Sequence, residues 1–137
     1  MKVLCDTNVI LDFLMRRQPW FDEAKTILQA HRDGRLELHV TATTLTVVYY
    51  ISRRHGGRET AWRAVRGCLR RLTVIEVGQH ELQDAVSRHG HDFEDDLQMA
   101  CAVLCGLDLI VTRDTQGFHG SPLPAVSPTE LLAKFSE

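Results

Sequence analysis

The chain has 137 residues, 44% hydrophobic and 25% charged, with 16 Lys and Arg against 18 Asp and Glu for a net charge of −2. This is the make-up of one globular domain, spanning 1–137, and a chain of this size buries about two-thirds of its unfolded surface without needing a disulfide or metal. Intrinsic disorder and low-complexity architectures are excluded, and no apolar run approaches the roughly 18 residues of a membrane span.

The first segment, Lys2 to Cys5, is short and apolar and predicts a buried strand. It meets Asp6 too soon for a signal peptide. The cysteines, Cys5, Cys68, Cys101 and Cys105, form no CxxC pair and read as small core thiols, which points to a reducing, cytoplasmic location with no membrane partner. After Asp6, the spacing of Val9, Ile10, Phe13 and Leu14 predicts a helix capped by Asp6 or Thr7. Pro19 is expected to open a second helix with Ala24, Ile27, Leu28 and His31 on one face, closed by Asp33-Gly34. Leu36 to Val40 alternates as a strand.

A helix is predicted from Thr43 or Thr44 to Arg54, ended by Gly56-Gly57, and a second, basic one over 58–71. The segment 53–71 carries seven arginines and a single acid, Glu59. It reads either as a solvated helix face or as a phosphate-binding patch led by Arg53 and Arg54. A β-branched strand follows at Leu72 to Val77. Helices are predicted at 79–89 and 92–105, a strand at Leu107 to Thr112, a short strand at Ala125-Val126, and a last helix opened by Pro128. Strands alternating with helices predict an α/β fold, a parallel sheet covered by helices on both faces.

In such sheets ligands sit at the carboxyl ends of the strands. Asp6 and Asp114 both follow predicted strands there, and Asp92, Glu94, Asp95 and Asp96 open a helix. Each group has a plain explanation as a helix cap or dipole partner. Together they suit an all-oxygen site for Mg²⁺ or Mn²⁺, because carboxylates gathered in one crevice repel and a cation keeps them ionised. Such ions activate water and neutralise charge on a phosphodiester. Asn8 and Thr112 are candidates to orient ligands and water around them.

These motifs resemble a known family. Cys5-Asp6-Thr7-Asn8-Val9-Ile10-Leu11-Asp12 resembles the opening of a PIN (PilT N-terminal) domain. Asp92-Phe93-Glu94-Asp95-Asp96-Leu97-Gln98 resembles its acidic helix, and Val111-Thr112-Arg113-Asp114 with Phe118 its last acidic motif. The resemblance implies a single PIN-like domain with a parallel central sheet flanked by helices. It also implies metal-dependent RNA cleavage, commonly by a VapC-type toxin neutralised by an antitoxin protein. Asp6, Asp95 and Asp114 match the family's metal-binding acids, with Asp92 as an accessory, and a homodimer is the expected assembly.

One position departs from the pattern. The family places a Glu on the helix after the second strand, where this chain has Val47. The site then has one carboxylate fewer, and Glu94 or Asp96 are the candidates to compensate. Val47 also keeps open a rival reading: a catalytically impaired PIN-like module that binds RNA or a partner protein.

Other chemistries fit less well. A dehalogenase-like phosphatase needs an Asp at the position of Asn8, and a receiver domain needs a late lysine where only Lys134 is present. No nucleophile elbow, P-loop or dinucleotide fingerprint occurs. His89 and His91 read as loop residues beside the acidic helix, with metal ligation as the alternative. Trp20, Trp62, Tyr49 and Tyr50 read as packing residues.

Overall fold

The structure is a computed structural model describing residues 1–135; Ser136 and Glu137, the end of the expected 1–137 domain, lie outside the described residues. Strands β1 (Lys2–Cys5), β2 (Glu37–Thr41), β3 (Thr73–Ile75), β4 (Leu109–Val111) and β5 (Ala125–Val126) form one sheet in the order β3-β2-β1-β4-β5. Every pairing is parallel. The helices are α1 (Thr7–Leu14), α2 (Phe21–Arg32), α3 (Ala42–Arg71), α4 (Gln79–Arg88), α5 (Phe93–Leu104) and α6 (Pro128–Ala133). No helix among the described residues is long and apolar enough to cross a membrane.

Strand periodicity splits the apolar residues into two cores. Val3, Cys5, Leu38, Val40, Leu109 and Val111 face a cluster completed by α1, α2, α3 and Leu131. Leu4, Ile75 and Ile110 face the other, completed by Leu97, Cys101 and Ala102 of α5 and by Phe118. Cys5, Cys68 and Cys101 are buried as expected, but Cys105 is exposed, because α5 ends there and its side chain lies past the packed face.

Several boundaries shift. Pro19 does not open α2: the first helical bond runs from Ala24 N–H to the Trp20 carbonyl, which leaves Pro19 in the preceding turn. Helix α3 starts at Ala42, with the Thr41 hydroxyl accepting from Thr44 N–H. It is interrupted at Gly57, where φ is 87° and ψ 176°, so the Gly56-Gly57 pair divides it as the sequence predicts. The expected strands over 72–77 and 107–112 shorten to Thr73–Ile75 and Leu109–Val111, where parallel partners exist on the neighbouring strand. Pro128 opens α6 behind the cap Ser127, whose hydroxyl accepts from Glu130 N–H while Glu130 reaches back to Ser127 N–H.

The strand order reverses beside β1. From there the chain passes to β2 on one side, while β4 pairs with the other. The crevice between the carboxyl ends of β1 and β4 is the position at which parallel sheets bind ligands.

Two glycines of α3 should respond oppositely to alanine. Gly57 occupies a conformation almost restricted to glycine, so Gly57→Ala should destabilise by about 1–3 kcal/mol. Gly67 has helical backbone and open space where a Cβ would go, so Gly67→Ala should stabilise by about 0.5–1 kcal/mol. Urea midpoints followed by circular dichroism measure both.

Candidate active site

Asp6 leaves β1 in extended conformation and occupies the cap position of α1, yet its side chain makes no capping bond. The carboxylate is held elsewhere. Its Oδ1 accepts from Gln98 Nε2 at 3.1 Å and its Oδ2 from Thr112 Oγ1 at 2.7 Å. Asp6 is 3% exposed and has no ion pair among the described residues, so its charge is hydrogen-bonded without being neutralised. Thr112 Oγ1 in turn accepts the Asp114 N–H at 3.0 Å, which ties the turn after β4 to Asp6.

The first turn of α5 brings the other acids. Asp92 caps it, accepting from Asp95 N–H at 3.0 Å. Asp95 is pushed up from 3.8 to about 7, first by burial and then by repulsion from Asp6, Asp92, Glu94 and Asp114. Glu94 is also raised, chiefly by burial and further by Asp6 and Asp92, against a hydrogen bond with Thr7 that lowers it. Asp114 Oδ1 accepts from Gly117 N–H at 3.1 Å. A Cβ on Gly117 would fall 2.8 Å from Asp95 Oδ2 and 2.9 Å from Asp114 Oδ2. The two carboxylates therefore flank one spot that only a glycine leaves open.

Asp6, Asp92, Asp95, Asp114 and Thr112 thus lie at one end of the sheet. Asn8 does not join them: it is exposed on α1 and makes no side-chain hydrogen bond among the described residues. The amide beside Asp6 is that of Gln98, fully buried on α5, whose Oε1 has no hydrogen-bond partner among the described residues. Helical spacing from Asp95 to Gln98 was the available signal, since the two share a face. Asp96 is turned away, its Oδ2 accepting from Gly90 N–H at 2.7 Å. Val47 is half-buried and packs against the apolar cluster of α1 and the sheet.

The structure does not bring the arginine segment to the acids. Arg53 and Arg54 are exposed on α3; Arg53 lies nine residues beyond Thr44, about 13–14 Å along the helix axis. The second half of α3 then delivers Arg70 and Arg71 to the amino end of β3, the edge opposite Asp6 and Asp114. Among the described residues, no ion pair joins any of these arginines to an acid of the crevice. Instead, Arg63, Arg70 and Arg71 border a cavity of about 740 Å³, floored by Ile10, Phe13, Leu14 and Leu28.

Arg113 is committed differently. Its Nε and Nη2 lie 2.6 and 3.2 Å from the carboxylate of Asp12, which is 1% exposed, and its guanidinium stacks 3.8 Å from the Trp20 ring centroid. Arg17 approaches the same carboxylate at 3.8 Å. This clamp fixes the backbone between Thr112 and Asp114.

Among the described residues, no three His, Cys, Asp or Glu side chains already form a closed ligand set. The donors nevertheless suit a hard divalent cation. All are oxygens, Asp95 and Asp114 flank the same open spot, and the repulsion that raises Asp95 is what such a cation relieves.

A sequence profile described as PIN domain matches residues 2–116. No curated protein sequence matches the chain. Several solved structures share the fold. A toxin–antitoxin complex from Klebsiella pneumoniae superposes with a TM-score of 0.69 at 23% identity, covering 92% of this chain and 97% of that one. DNA-bound VapBC from Salmonella typhimurium gives 0.72 at 16% identity, covering 93% and 98%. VapC20 of Mycobacterium tuberculosis, described as a Sarcin-Ricin loop cleaving toxin, gives 0.65 at 15% identity, covering 79% and 86%.

The raised Asp95 carries a sign. Its value of about 7 exceeds the ordinary 3.8, so its stabilising contribution is full below about 4 and is lost as pH rises through 7. Asp95→Asn should therefore raise the melting temperature of protein held in chelator. The gain should grow from acid pH up to about 7 and level off above it, as thermal denaturation across pH would show. For the clamp, Arg113→Ala strands the buried Asp12 charge and should cost about 3–5 kcal/mol. Adding Asp12→Asn should recover part of that loss in urea unfolding.

Proposed function

The chain belongs to the PIN domain family, and from that premise we propose that it is a metal-dependent endoribonuclease, the toxin of a toxin–antitoxin pair. The observation that carries the reading is the convergence of Asp6, Asp95 and Asp114 at the strand-end crevice without a neutralising side-chain cation. Asp6, Asp95 and Asp114 would hold Mg²⁺ or Mn²⁺, with Asp92 as an accessory that sets the start of α5. When bound, the ion supplies charge neutralisation at the phosphodiester and an acidified water.

The chain's own groups prepare the place. Thr112 and Gln98 orient the Asp6 carboxylate through its two oxygens. The Thr112 hydroxyl and the Arg113 clamp fix the turn that presents Asp114. Gly117 keeps the space between Asp95 and Asp114 clear of side-chain atoms.

Partners follow from the same reading. RNA is the substrate. An antitoxin partner is supported by the similar folds found in toxin–antitoxin complexes. The cavity beside α3 suits such a protein segment: apolar side chains would fill its floor and acidic ones would meet Arg63, Arg70 and Arg71. A cytoplasmic homodimer is part of the proposal, in keeping with the exposed Tyr50, Trp62, Leu82 and Val86 on α3 and α4. Val47 on the inner side of α3 favours a second reading, an RNA- or protein-binding module that does not cut.

Cleavage of end-labelled RNA with Mn²⁺ and with chelator separates the readings. Thr112→Val or Gln98→Leu, which remove a donor to Asp6, should slow cleavage by about 10–100-fold, and Asn at Asp6 or Asp114 should slow it further. Metal-independent RNA binding with no cleavage would establish the binding module instead.

A further inference from the structure

The acids of the crevice repel phosphate, so the cations that draw a polyanion in must lie beside them and not among them. The arginines of α3 run to the other edge of the sheet. The stretch 12–20, with Arg113, holds three arginines and a single acid, Asp12. Asp12 is already met by the two prongs of Arg113 at 2.6 and 3.2 Å, and Arg17 lies 3.8 Å from it, so two guanidiniums share one buried carboxylate. Arg16 is exposed and lies 5.9 Å from the Phe21 ring centroid. Positive charge is therefore in excess on the loop between α1 and α2. Trp20 closes that loop. The Arg113 guanidinium sits 3.8 Å from its ring centroid and covers one face of the indole, yet Trp20 is still 38% exposed. The open surface belongs to the other face and the edge, apolar area that shielding the Asp12–Arg113 pair does not require. This loop borders the crevice. Arg113 stands between Asp114 and Thr112, whose hydroxyl donates to Asp6. Trp20 is thus one arginine side chain away from the backbone that presents Asp114.

We propose that the open face of Trp20 is a stacking platform for an RNA base beside the phosphate that is cut, with Arg16 and Arg17 holding the flanking phosphates. This rests on the nuclease reading and adds to it the residue that grips the strand next to the acids. Aromatic side chains stack on bases because every base has a π-face. A base must leave its own stack to do so, so the platform takes an unpaired nucleotide. The Asp12–Arg113 pair fixes the indole from behind, so little side-chain freedom is lost when a base settles on it.

Trp20 and Trp62 are the two tryptophans of the chain, so Trp62→Phe, which keeps a ring against Tyr49, leaves Trp20 as the sole indole reporter. Stacking and the arginine contacts need no ion, so the titration is run in chelator at low salt, where nothing is cut. A short labelled oligoadenylate should quench Trp20 fluorescence in step with the anisotropy of its own label. An abasic strand of the same length should bind more weakly and leave the emission unchanged. Trp20→Leu should weaken oligoadenylate binding by about tenfold, and Trp20→Tyr should keep most of it. The abasic strand, held by its phosphates alone, should bind the wild type and both variants alike. If Trp20→Leu does not fold, the emission of the Trp62→Phe protein decides alone. Oligoadenylate binding with unchanged Trp20 emission, equal affinity in folded Trp20→Leu, or no binding in chelator would overturn the proposal, and Mn²⁺-dependent cleavage by the same protein would leave the nuclease reading standing. Quenching of Trp20 without cleavage in Mn²⁺ would support the platform and remove the nuclease reading.

Discussion

The structure depends on a buried carboxylate that is hydrogen-bonded but not neutralised. Asp6 accepts from a hydroxyl and from an amide, both neutral, at the switch point of the sheet. Six residues on, along the same strand–helix unit, Asp12 shows the opposite solution. It is equally buried and is closed by a two-pronged Arg113 with Arg17 nearby. Burying a charge is costly unless it is paired. The fold therefore completes the pair at Asp12, where the carboxylate holds a turn in place. It leaves the pair incomplete at Asp6, where an external cation can complete it.

The local chemistry of the crevice follows from that incompleteness. Asp95, on the facing helix, feels Asp6, Asp92, Glu94 and Asp114, and a proton is retained on it to about neutral pH. Gly117 is needed because the Asp95 and Asp114 oxygens already occupy the surroundings of any Cβ there. Glycine is required here by contact: the backbone is ordinary, in contrast to Gly57, where φ itself demands it. The acids of α5 also favour the helix dipole at its N-terminus, so part of their mutual repulsion is offset by the backbone that presents them.

Much of this was legible in the sequence. The parallel α/β order, the strand-end position of Asp6 and Asp114, and the capping role of Asp92 all follow from periodicity and placement, which depend on nearest neighbours along the chain. Thr112 was legible for the same reason: it lies two residues before Asp114 and reaches both Asp114 and Asp6. Contacts between elements were harder to read. Gln98 could be placed on the Asp95 face, but nothing local showed that Asp6 would take its amide in place of Asn8. Gly117 looks like an ordinary loop glycine until two carboxylates from separate elements meet beside it. Pro19 misled because a proline favours the first helical turn and equally a turn just outside it. The arginine segment stayed open between a solvated face and a phosphate-binding patch, because composition records how many charges a helix carries and says nothing of the end of the sheet to which it brings them.

The placement of those arginines is itself informative. Arg113 is committed to the buried Asp12 carboxylate and is stacked on Trp20 by the same contact, so it is held away from Asp95 and Asp114 despite being adjacent to the latter in sequence. The basic half of α3 runs to the opposite edge of the sheet, where Arg63, Arg70 and Arg71 surround an apolar cavity. A guanidinium inside the crevice would occupy the carboxylates as Arg113 occupies Asp12, and a divalent cation would then have to displace it. Segregating the arginines from the acids keeps the carboxylates available to a soluble ion, and it gives the other edge a charge pattern suited to an acidic, partly apolar protein segment. One net charge of −2 thus conceals two surfaces of opposite character, which the parallel topology holds at opposite ends of the same sheet.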